Sequence, residues 1–288
     1  MSDVKTRIAS RGRAPFRPTG TIILVLGAVY CLVPVAWVFI AASKSPMELF
    51  STFTFAPGTG LGSNIEALFD YQGGQFWYWV GNSALYAGVG GVLSTLVSAM
   101  AGYALAKYQF RLKGPIFYAF LVGILVPGIT LAVPQYLLMS NLGIAGTHWS
   151  VLLPTIINPF GIYLSYVFAQ SAVPFETMEA ARLDGASEFT IFRSIALPLM
   201  VPGLITVFLL TFVGIWNNFL LPFIMLSNQD YYPLTLGLYT LLSRGSGEPA
   251  LYSLAITGAA LSVIPLIALV MVLQRFWRVD LVSGAVKG

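Results

Sequence analysis

The side chains that most often act as nucleophiles, proton carriers or metal ligands are nearly absent from this sequence. It contains one cysteine, Cys31, and one histidine, His148. One cysteine cannot form a disulfide within the chain, and two such residues are too few for a His/Cys metal cluster. Cys31 lies in an apolar run, where we expect a buried thiol, and His148 lies between apolar segments, where we expect an interfacial side chain.

Nucleotide chemistry is also without a candidate site. The sequence has no Gly-Lys dipeptide, which excludes the G-x-x-x-x-G-K-[ST] loop that binds phosphate through its backbone amides. We therefore predict no catalytic residue, no metal site and no cofactor bound by this chain. If ATP drives the protein, another subunit must hydrolyse it.

Neutral polar side chains do occur inside apolar stretches. Burying an amide without a hydrogen-bond partner costs roughly 2–7 kcal/mol, so each must face a partner or water. Glycine and proline interrupt the same stretches, and broken helices are tolerated in membranes where they line a cavity or are covered by protein. Amides, hydroxyls and aromatic faces suit a neutral, hydroxyl-rich solute, although each residue could instead join two helices. The predicted pathway residues are Gln135, Asn158, Tyr163, Asn217 and Asn218.

The elements that must carry these residues are membrane helices. Hydrophobic residues make up 57% of the 288 positions and charged residues 9%, with a mean hydropathy of +0.80, whereas soluble domains have roughly 25% charged residues. A bilayer core of about 30 Å needs roughly 20 apolar residues per helix. We predict an all-α membrane protein with six spans, near 21–42, 80–106, 115–139, 149–171, 202–226 and 251–274.

The basic residues predict the orientation of these spans. The segments before span one and after span six, together with the loops after spans two and four, hold 13 of the 15 Lys and Arg residues, and the opposite loops hold only Lys44 and Arg244. Because cytoplasmic loops are enriched in Lys and Arg, both termini should be cytoplasmic. We predict a cytoplasmic tail (1–20), one membrane domain (21–275) and a second tail (276–288). The net charge of +4 reflects this asymmetry and does not indicate a nucleic-acid partner.

The spans contain no Asp, Glu, Lys or Arg. Proton relays and ion-coupled carriers use ionisable residues inside the membrane, so proton coupling is disfavoured. Sodium coupling through backbone carbonyls stays open. A membrane enzyme is disfavoured because no polar catalytic cluster stands out.

Two outer loops have aromatic residues. One ends in Phe76-Trp77-Tyr78-Trp79, which we interpret mainly as an interfacial aromatic belt. The other, 227–250, either caps the bundle or meets a soluble partner.

The predicted cytoplasmic loop 172–200 is unlike the others. Pro174 suits the first turn of a helix, and Gly185 can adopt the positive φ that ends it. Phe189, Phe192 and Ile195 recur every third residue, which predicts a second short helix before span five. Two short helices would form a compact projecting knob, the alternative being an ordinary connecting loop.

Residue identity and spacing in this loop resemble a known pattern. Glu179-Ala180-Ala181, Gly185 four residues later, and Ile195-Ala196-Leu197-Pro198 resemble the EAA signature of bacterial ABC importer permeases. Further similarities favour the carbohydrate-uptake branch of the MalG type: Asn82-Ser83, Trp216-Asn217 and the terminus 283–288.

The resemblance implies a fold, partners and a location. The fold would be the methionine-importer-type permease fold, with spans two to six as its core, in the bacterial inner membrane. A second homologous permease would complete the channel, two ATPase subunits would hold ATP and Mg, and an extracytoplasmic solute-binding protein would deliver a sugar. A permease for peptides or amino acids is the main alternative, and an ion-driven transporter the weaker one. The loop would be the coupling helix, seated in an ATPase cleft through Glu179, Ala180, Ala181, Asp184, Gly185, Ile195, Leu197 and Pro198.

Overall fold

The computed structural model describes residues 18–51, 55–245 and 247–283, and in these ranges the protein is helical without strands. The basic tail from Lys5 to Arg17 and the terminal residues 284–288 lie outside the described residues. The helices are α1 (Pro18–Ala42), α2 (Pro46–Ser51), α3 (Leu61–Asp70), α4 (Gln75–Ala84), α5 (Gly90–Lys107), α6 (Lys113–Leu125), α7 (Gly128–Asn141), α8 (His148–Ile156), α9 (Pro159–Ala172), α10 (Phe175–Leu183), α11 (Glu188–Ile191), α12 (Leu197–Trp216), α13 (Leu220–Met225), α14 (Leu234–Arg244) and α15 (Pro249–Ser283).

Five of the predicted spans are long apolar helices, and the remaining one, span three, is a bent pair of helices. This confirms an all-α membrane fold. A π-helical turn, Leu85–Val89, joins α4 to α5, and a second one, Phe192–Ala196, joins α11 to α12. The long helices are Thr19–Ala42 (span one), Gln75–Lys107 (span two), His148–Ala172 (span four), Glu188–Trp216 (span five) and Pro249–Phe276 (span six).

Span three is not the single helix that hydropathy predicts over 115–139. The chain bends by 107° between helices α6 and α7. Val126 is extended, with φ −76° and ψ 119°, as is Pro127 after it. A proline disfavours the helical conformation in the residue before it and has no N–H to donate, so the helix ends there. Pro159 acts in the same way on Asn158, which is extended, as is Ile157 before it, between α8 and α9.

The predicted bounds of span five, 202–226, are wrong at both ends. Its helix already begins at Glu188 and ends at Trp216, and residues 220–225 form the separate helix α13. The second short helix that we predict for the cytoplasmic loop is therefore the start of span five. Pro198 does not interrupt this helix. In the π-helical turn the Leu197 N–H bonds to the Phe192 carbonyl, five residues earlier. The hydrogen-bond register has therefore already shifted by one residue before the proline is reached.

Spans two and four pack through small residues. Each helix presents three of them at four-residue spacing, so the two backbones approach closely, as glycine and serine permit in membranes. A Cβ atom on Gly102 would lie 2.6 Å from the Ser165 Cβ, and one on Gly161 would lie 2.7 Å from the Ser98 Oγ. The six residues are Ser94, Ser98 and Gly102 on α5 and Gly161, Ser165 and Ala169 on α9.

Span one lies at the edge of the bundle. No residue in its most apolar segment is fully buried, and the helix packs mainly against α15. Cys31 is exposed on this helix and faces away from the rest of the chain, so our expectation of a buried thiol was wrong. The far end of the span is fixed, because Asn64 donates to the carbonyls of Ala42 (2.9 Å) and Lys44 (2.8 Å).

Candidate solute cavity and projecting helix

A cavity of about 440 Å³ lies where the membrane helices break. Its walls come from α7, the α8–α9 break, α12 and the start of α13. Three of the predicted pathway residues, Gln135, Asn158 and Asn218, line it together with Thr155 and Thr211. None of the described lining residues is ionisable. The structure thus brings amides and hydroxyls from four helical segments around one uncharged cavity.

Asn158 both lines the cavity and joins two spans. As the N-cap of α9 it accepts a hydrogen bond from the Gly161 N–H (3.1 Å), and its Nδ2 donates to the Thr211 Oγ1 on span five (3.2 Å). An N-cap side chain satisfies an amide that has no partner within the helix. The two roles that the sequence leaves open, cavity lining and helix joining, are therefore combined in one residue.

Asn218 holds the chain after span five. Its Oδ1 accepts from the Leu221 N–H (3.2 Å), and its carbonyl accepts from the Thr235 hydroxyl (3.0 Å). These bonds fix the turn between α12 and α13, so that one wall of the cavity is non-helical backbone. Such backbone is tolerated at membrane depth where it lines a cavity.

The other two predicted pathway residues lie outside this cavity. Tyr163 is on α9, and its ring centroid lies 6.4 Å from that of Phe117. Asn217 donates to the Val213 carbonyl (3.0 Å) and so satisfies the end of its own helix. Thr155 and Thr211 were missed from the sequence. Helical threonines commonly bond to their own backbone, as Thr155 does to the Leu152 carbonyl (2.7 Å), so a threonine alone is a poor signal.

One end of the bundle is capped by the segment before α14. Asn82 on span two donates to the carbonyls of Asp230 (2.7 Å) and Tyr232 (3.0 Å), and the His148 Nε2 lies 3.0 Å from its Oδ1. The Ser83 hydroxyl accepts from the Leu234 N–H at 2.7 Å. His148 is thus half-buried in a polar network, and this part of the loop 227–250 caps the bundle.

The aromatic run at the start of span two divides between surface and core. Trp77 and Tyr78 are exposed, as an interfacial belt requires. Phe76 and Trp79 are buried in a hydrophobic core, so the prediction of an interfacial belt applies at most to Trp77 and Tyr78. The division follows from the helix α4, which turns successive side chains to different faces.

The loop 172–200, which we predict to be cytoplasmic, forms a knob made of α10 followed by the start of span five. Helix α10 ends in a Schellman motif: the Ala186 N–H bonds to the Ala181 carbonyl (2.9 Å) and the Gly185 N–H to the Arg182 carbonyl (3.0 Å). Gly185 has φ +81°, the conformation that this motif requires and glycine adopts at no steric cost. The predicted helix end at Gly185 is confirmed.

The predicted docking residues divide into two groups. Glu179, Ala180, Asp184 and Gly185 are exposed on the knob. The remaining four lie closer to the bundle. Ala181 on α10 packs against the core. Ile195 in the π-helical turn and Leu197 at the start of α12 are half-buried, and Pro198 after them is exposed.

The knob is attached to the bundle by a hydrophobic core. Met178 on the inner face of α10 is fully buried, as is Ile191 on α11. They pack in one cluster with Tyr103 of span two and Met200 of span five, and the Tyr103 hydroxyl lies 3.8 Å from the Met178 sulfur. Burying a side chain of this size contributes about 1.5–3 kcal/mol, so α10 is a folded part of the bundle.

A polar contact lies beside this core. Arg182 donates to Glu188 from Nε (2.7 Å) and Nη2 (3.2 Å), and the Tyr108 hydroxyl donates to the same carboxylate at 2.6 Å. Burial raises the pKa of the Tyr108 hydroxyl, and the hydrogen bond to Glu188 raises that pKa further. The phenol therefore keeps its proton and stays the donor.

Known proteins resemble this chain over nearly its whole length. Residues 94–278 match the family described as binding-protein-dependent transport system inner membrane component. The chain is 34% identical over 271 residues to the arabinooligosaccharides transport system permease protein AraQ of Halalkalibacterium halodurans, covering 93% of this chain and 95% of that protein. It is 31% identical to the lactose transport system permease protein LacG of Rhizobium radiobacter, covering 92% and 94%.

A solved structure has a similar fold. It is a chain of a bacterial ABC transporter involved in the import of the acidic polysaccharide alginate, with a TM-score of 0.78 at 23% identity. The similarity covers 94% of this chain and 99% of that chain.

Proposed function

Because this chain belongs to the family of inner membrane components of binding-protein-dependent transport systems, we propose that it is a permease subunit of an ATP-driven carbohydrate importer. It forms half of the translocation pathway, and a second homologous permease forms the other half. It binds no nucleotide: ATP and Mg are held by two ATPase subunits, and a solute-binding protein delivers the sugar from outside.

The observation that carries the proposal is that helix α10 has one buried face and one exposed face. One face is buried in a core shared with spans two, four and five, while Glu179, Ala180 and Asp184 on the other are exposed. An element with this placement can transmit a force from a soluble partner to the membrane helices. An ordinary connecting loop needs no such core.

The substrate class rests on the cavity and on the relatives. The cavity has amides and hydroxyls and no ionisable group among its described lining residues, which supports a neutral, hydroxyl-rich solute rather than an ion. The AraQ and LacG permeases are described as transporting arabinooligosaccharides and lactose. We therefore propose an oligosaccharide as the substrate of this chain.

The orientation follows from the basic residues. The described loops with most Lys and Arg are those at the inner ends of spans two and four, and the Tyr108–Glu188 hydrogen bond joins these two loops at one end of the bundle. We propose that this end and both termini are cytoplasmic, as basic loops favour, with the knob facing the ATPase subunits.

The test is transport by the complete complex, purified from its host through a tag on this chain and reconstituted in proteoliposomes containing ATP. With the binding protein outside, we expect uptake of radiolabelled arabino-oligosaccharides or lactose that requires both ATP and the binding protein. The isolated chain should hydrolyse no ATP, because it has no phosphate-binding loop.

Two other results would contradict the proposal. Uptake driven by an imposed proton or sodium gradient in vesicles without ATP would indicate a secondary transporter. ATP-dependent uptake of dipeptides or amino acids without sugar uptake would retain the importer but reject the substrate class.

A further inference from the structure

Glu188 connects three elements through one carboxylate. It is the first residue of the span-five helix, Arg182 belongs to the last turn of α10, and Tyr108 is the first residue after span two. We call these three residues the carboxylate bridge. Both Glu188 oxygens are used, one by the Arg182 Nε and the other by the Arg182 Nη2 and the Tyr108 hydroxyl.

The bridge crosses a joint in the chain. Four residues, Asp184 to Ser187, separate α10 from the span-five helix, and Gly185 lies among them at φ +81°. A Cβ at Gly185 would meet no atom within 4 Å, so the turn is open on the side to which that Cβ would point, and only Ala186 beside it packs partly against the core. A force applied to α10 could therefore bend the turn instead of moving span five, unless a contact spans it.

The energetics separate the bridge from the folding core. Arg182 and Glu188 are 34% and 51% exposed, so water weakens their attraction, and the pair contributes less to stability than the buried core beside it although the arginine binds both oxygens. Met178 and Ile191 beside them are fully buried and provide most of the attachment. Removing the bridge should therefore leave the fold intact while loosening the angle between α10 and the membrane helices.

We propose that Glu188, held by Arg182 and Tyr108, is a positioning residue that makes α10 move together with spans two and five when the ATPase subunits act on it. The inference rests on the proposed function. Its expected consequence is uncoupling: without the bridge, part of the ATP-driven movement of α10 is absorbed at the Gly185 turn, and less sugar is transported per ATP hydrolysed.

The experiment measures that ratio in the reconstituted complete complex. For Glu188→Ala we expect assembly and Tm to match the wild type and the transport-to-ATP ratio to fall about fivefold, which corresponds to roughly 1 kcal/mol in a two-state equilibrium. Tyr108→Phe removes one oxygen and should lower the ratio in the same direction. Glu66→Ala, at an exposed glutamate on the outer helix α3, is the matched control and should leave the ratio unchanged.

A charge exchange distinguishes positioning from a general structural role. Arg182→Glu alone places two carboxylates together and should uncouple. Combining it with Glu188→Arg restores the ion pair and should recover most of the ratio. Wild-type ratios in both Glu188→Ala and Tyr108→Phe, or failure of the exchange to recover coupling, would overturn the inference. A wild-type complex that transports sugar without ATP would instead overturn the proposed function.

Discussion

Gly185 concentrates two requirements in one residue. Its φ of +81° ends α10, and its position on the exposed surface of the knob places it where the proposed ATPase cleft would close. The left-handed conformation costs a residue with a side chain about 1–2 kcal/mol. Because a Cβ there would meet nothing within 4 Å in this chain, any steric effect of a larger side chain must come from a partner.

We expect Gly185→Val to reach the membrane in normal amounts and to lose most sugar uptake. The strain at positive φ is too small to unfold the bundle, whereas the added side chain would obstruct docking of the ATPase. Cellular uptake and co-purification of the ATPase with this chain measure the two effects.

Gly143 provides a matched control for this variant. It has φ +72°, and a Cβ on it would also meet no atom within 4 Å, but it follows α7 at the other end of the bundle. Gly143→Val should carry the same backbone strain and keep uptake near wild type. Equal loss in both variants would show that strain, and not docking, explains the effect.

At the level of elements, the contact between spans two and four holds the cavity walls in place. Gly102 lies against the α9 backbone, so that a Cβ would come within 2.6 Å of the Tyr166 nitrogen. A backbone atom cannot yield by rotating as a side chain can. The two helices must separate if any larger residue is introduced.

Gly102→Ala should therefore destabilise the protein, by about 1–3 kcal/mol for overpacking, and should lower its Tm in detergent. The control is Gly81→Ala in the same span, where a Cβ would meet nothing within 4 Å. Alanine stabilises a helix relative to glycine, so the control should be neutral or slightly stabilising. A Tm for Gly102→Ala as high as that of Gly81→Ala would mean that the two helices are less close than described.

Hydropathy predicts the five long membrane helices well because each span needs about 20 apolar residues. It cannot predict where the helices bend or begin. Pro127 is visible in the sequence, but the angle between α6 and α7 depends on packing against other helices. Span five extends to Glu188 because a helix can continue past the membrane into charged residues, which end a hydropathy window without ending the helix.

The candidate site is predictable in part for similar reasons. Asn158 and Gly185 stand out in the sequence because an amide beside a proline and a glycine after a helix have local consequences. Asn217 is a predicted pathway residue but satisfies its own helix end, and its neighbour Asn218 lines the cavity. One residue of helical rotation decides between them, and sequence alone does not give the rotation.

At the scale of the whole molecule, the structure groups the loops into two ends. Tyr108 and Glu188 meet at one end. The rings of Phe50 and Tyr252 meet at the other, with centroids 5.3 Å apart. Which end is cytoplasmic stays a prediction from the basic residues.

Reporter fusions test that orientation. Fusions after Lys113 and after Ser187 should report cytoplasm, and fusions near Gly60 and Gly245 should report the outside, because basic loops are retained in the cytoplasm. Alkaline phosphatase and green fluorescent protein provide the two opposite readouts. The reverse pattern at all four positions would turn the knob away from any cytoplasmic ATPase.

The unbroken helix from Glu188 to Trp216 has a mechanical consequence. Its 29 residues span about 44 Å, so rotating it by about 10° around the Trp216 end would sweep Glu188 through roughly 8 Å. Thr211 lies five residues from that end and would move by only about 1 Å in the same rotation. Span five would in this sense act as a lever. A large displacement of the knob would produce a small displacement of the cavity wall, and the force on that wall would be correspondingly larger.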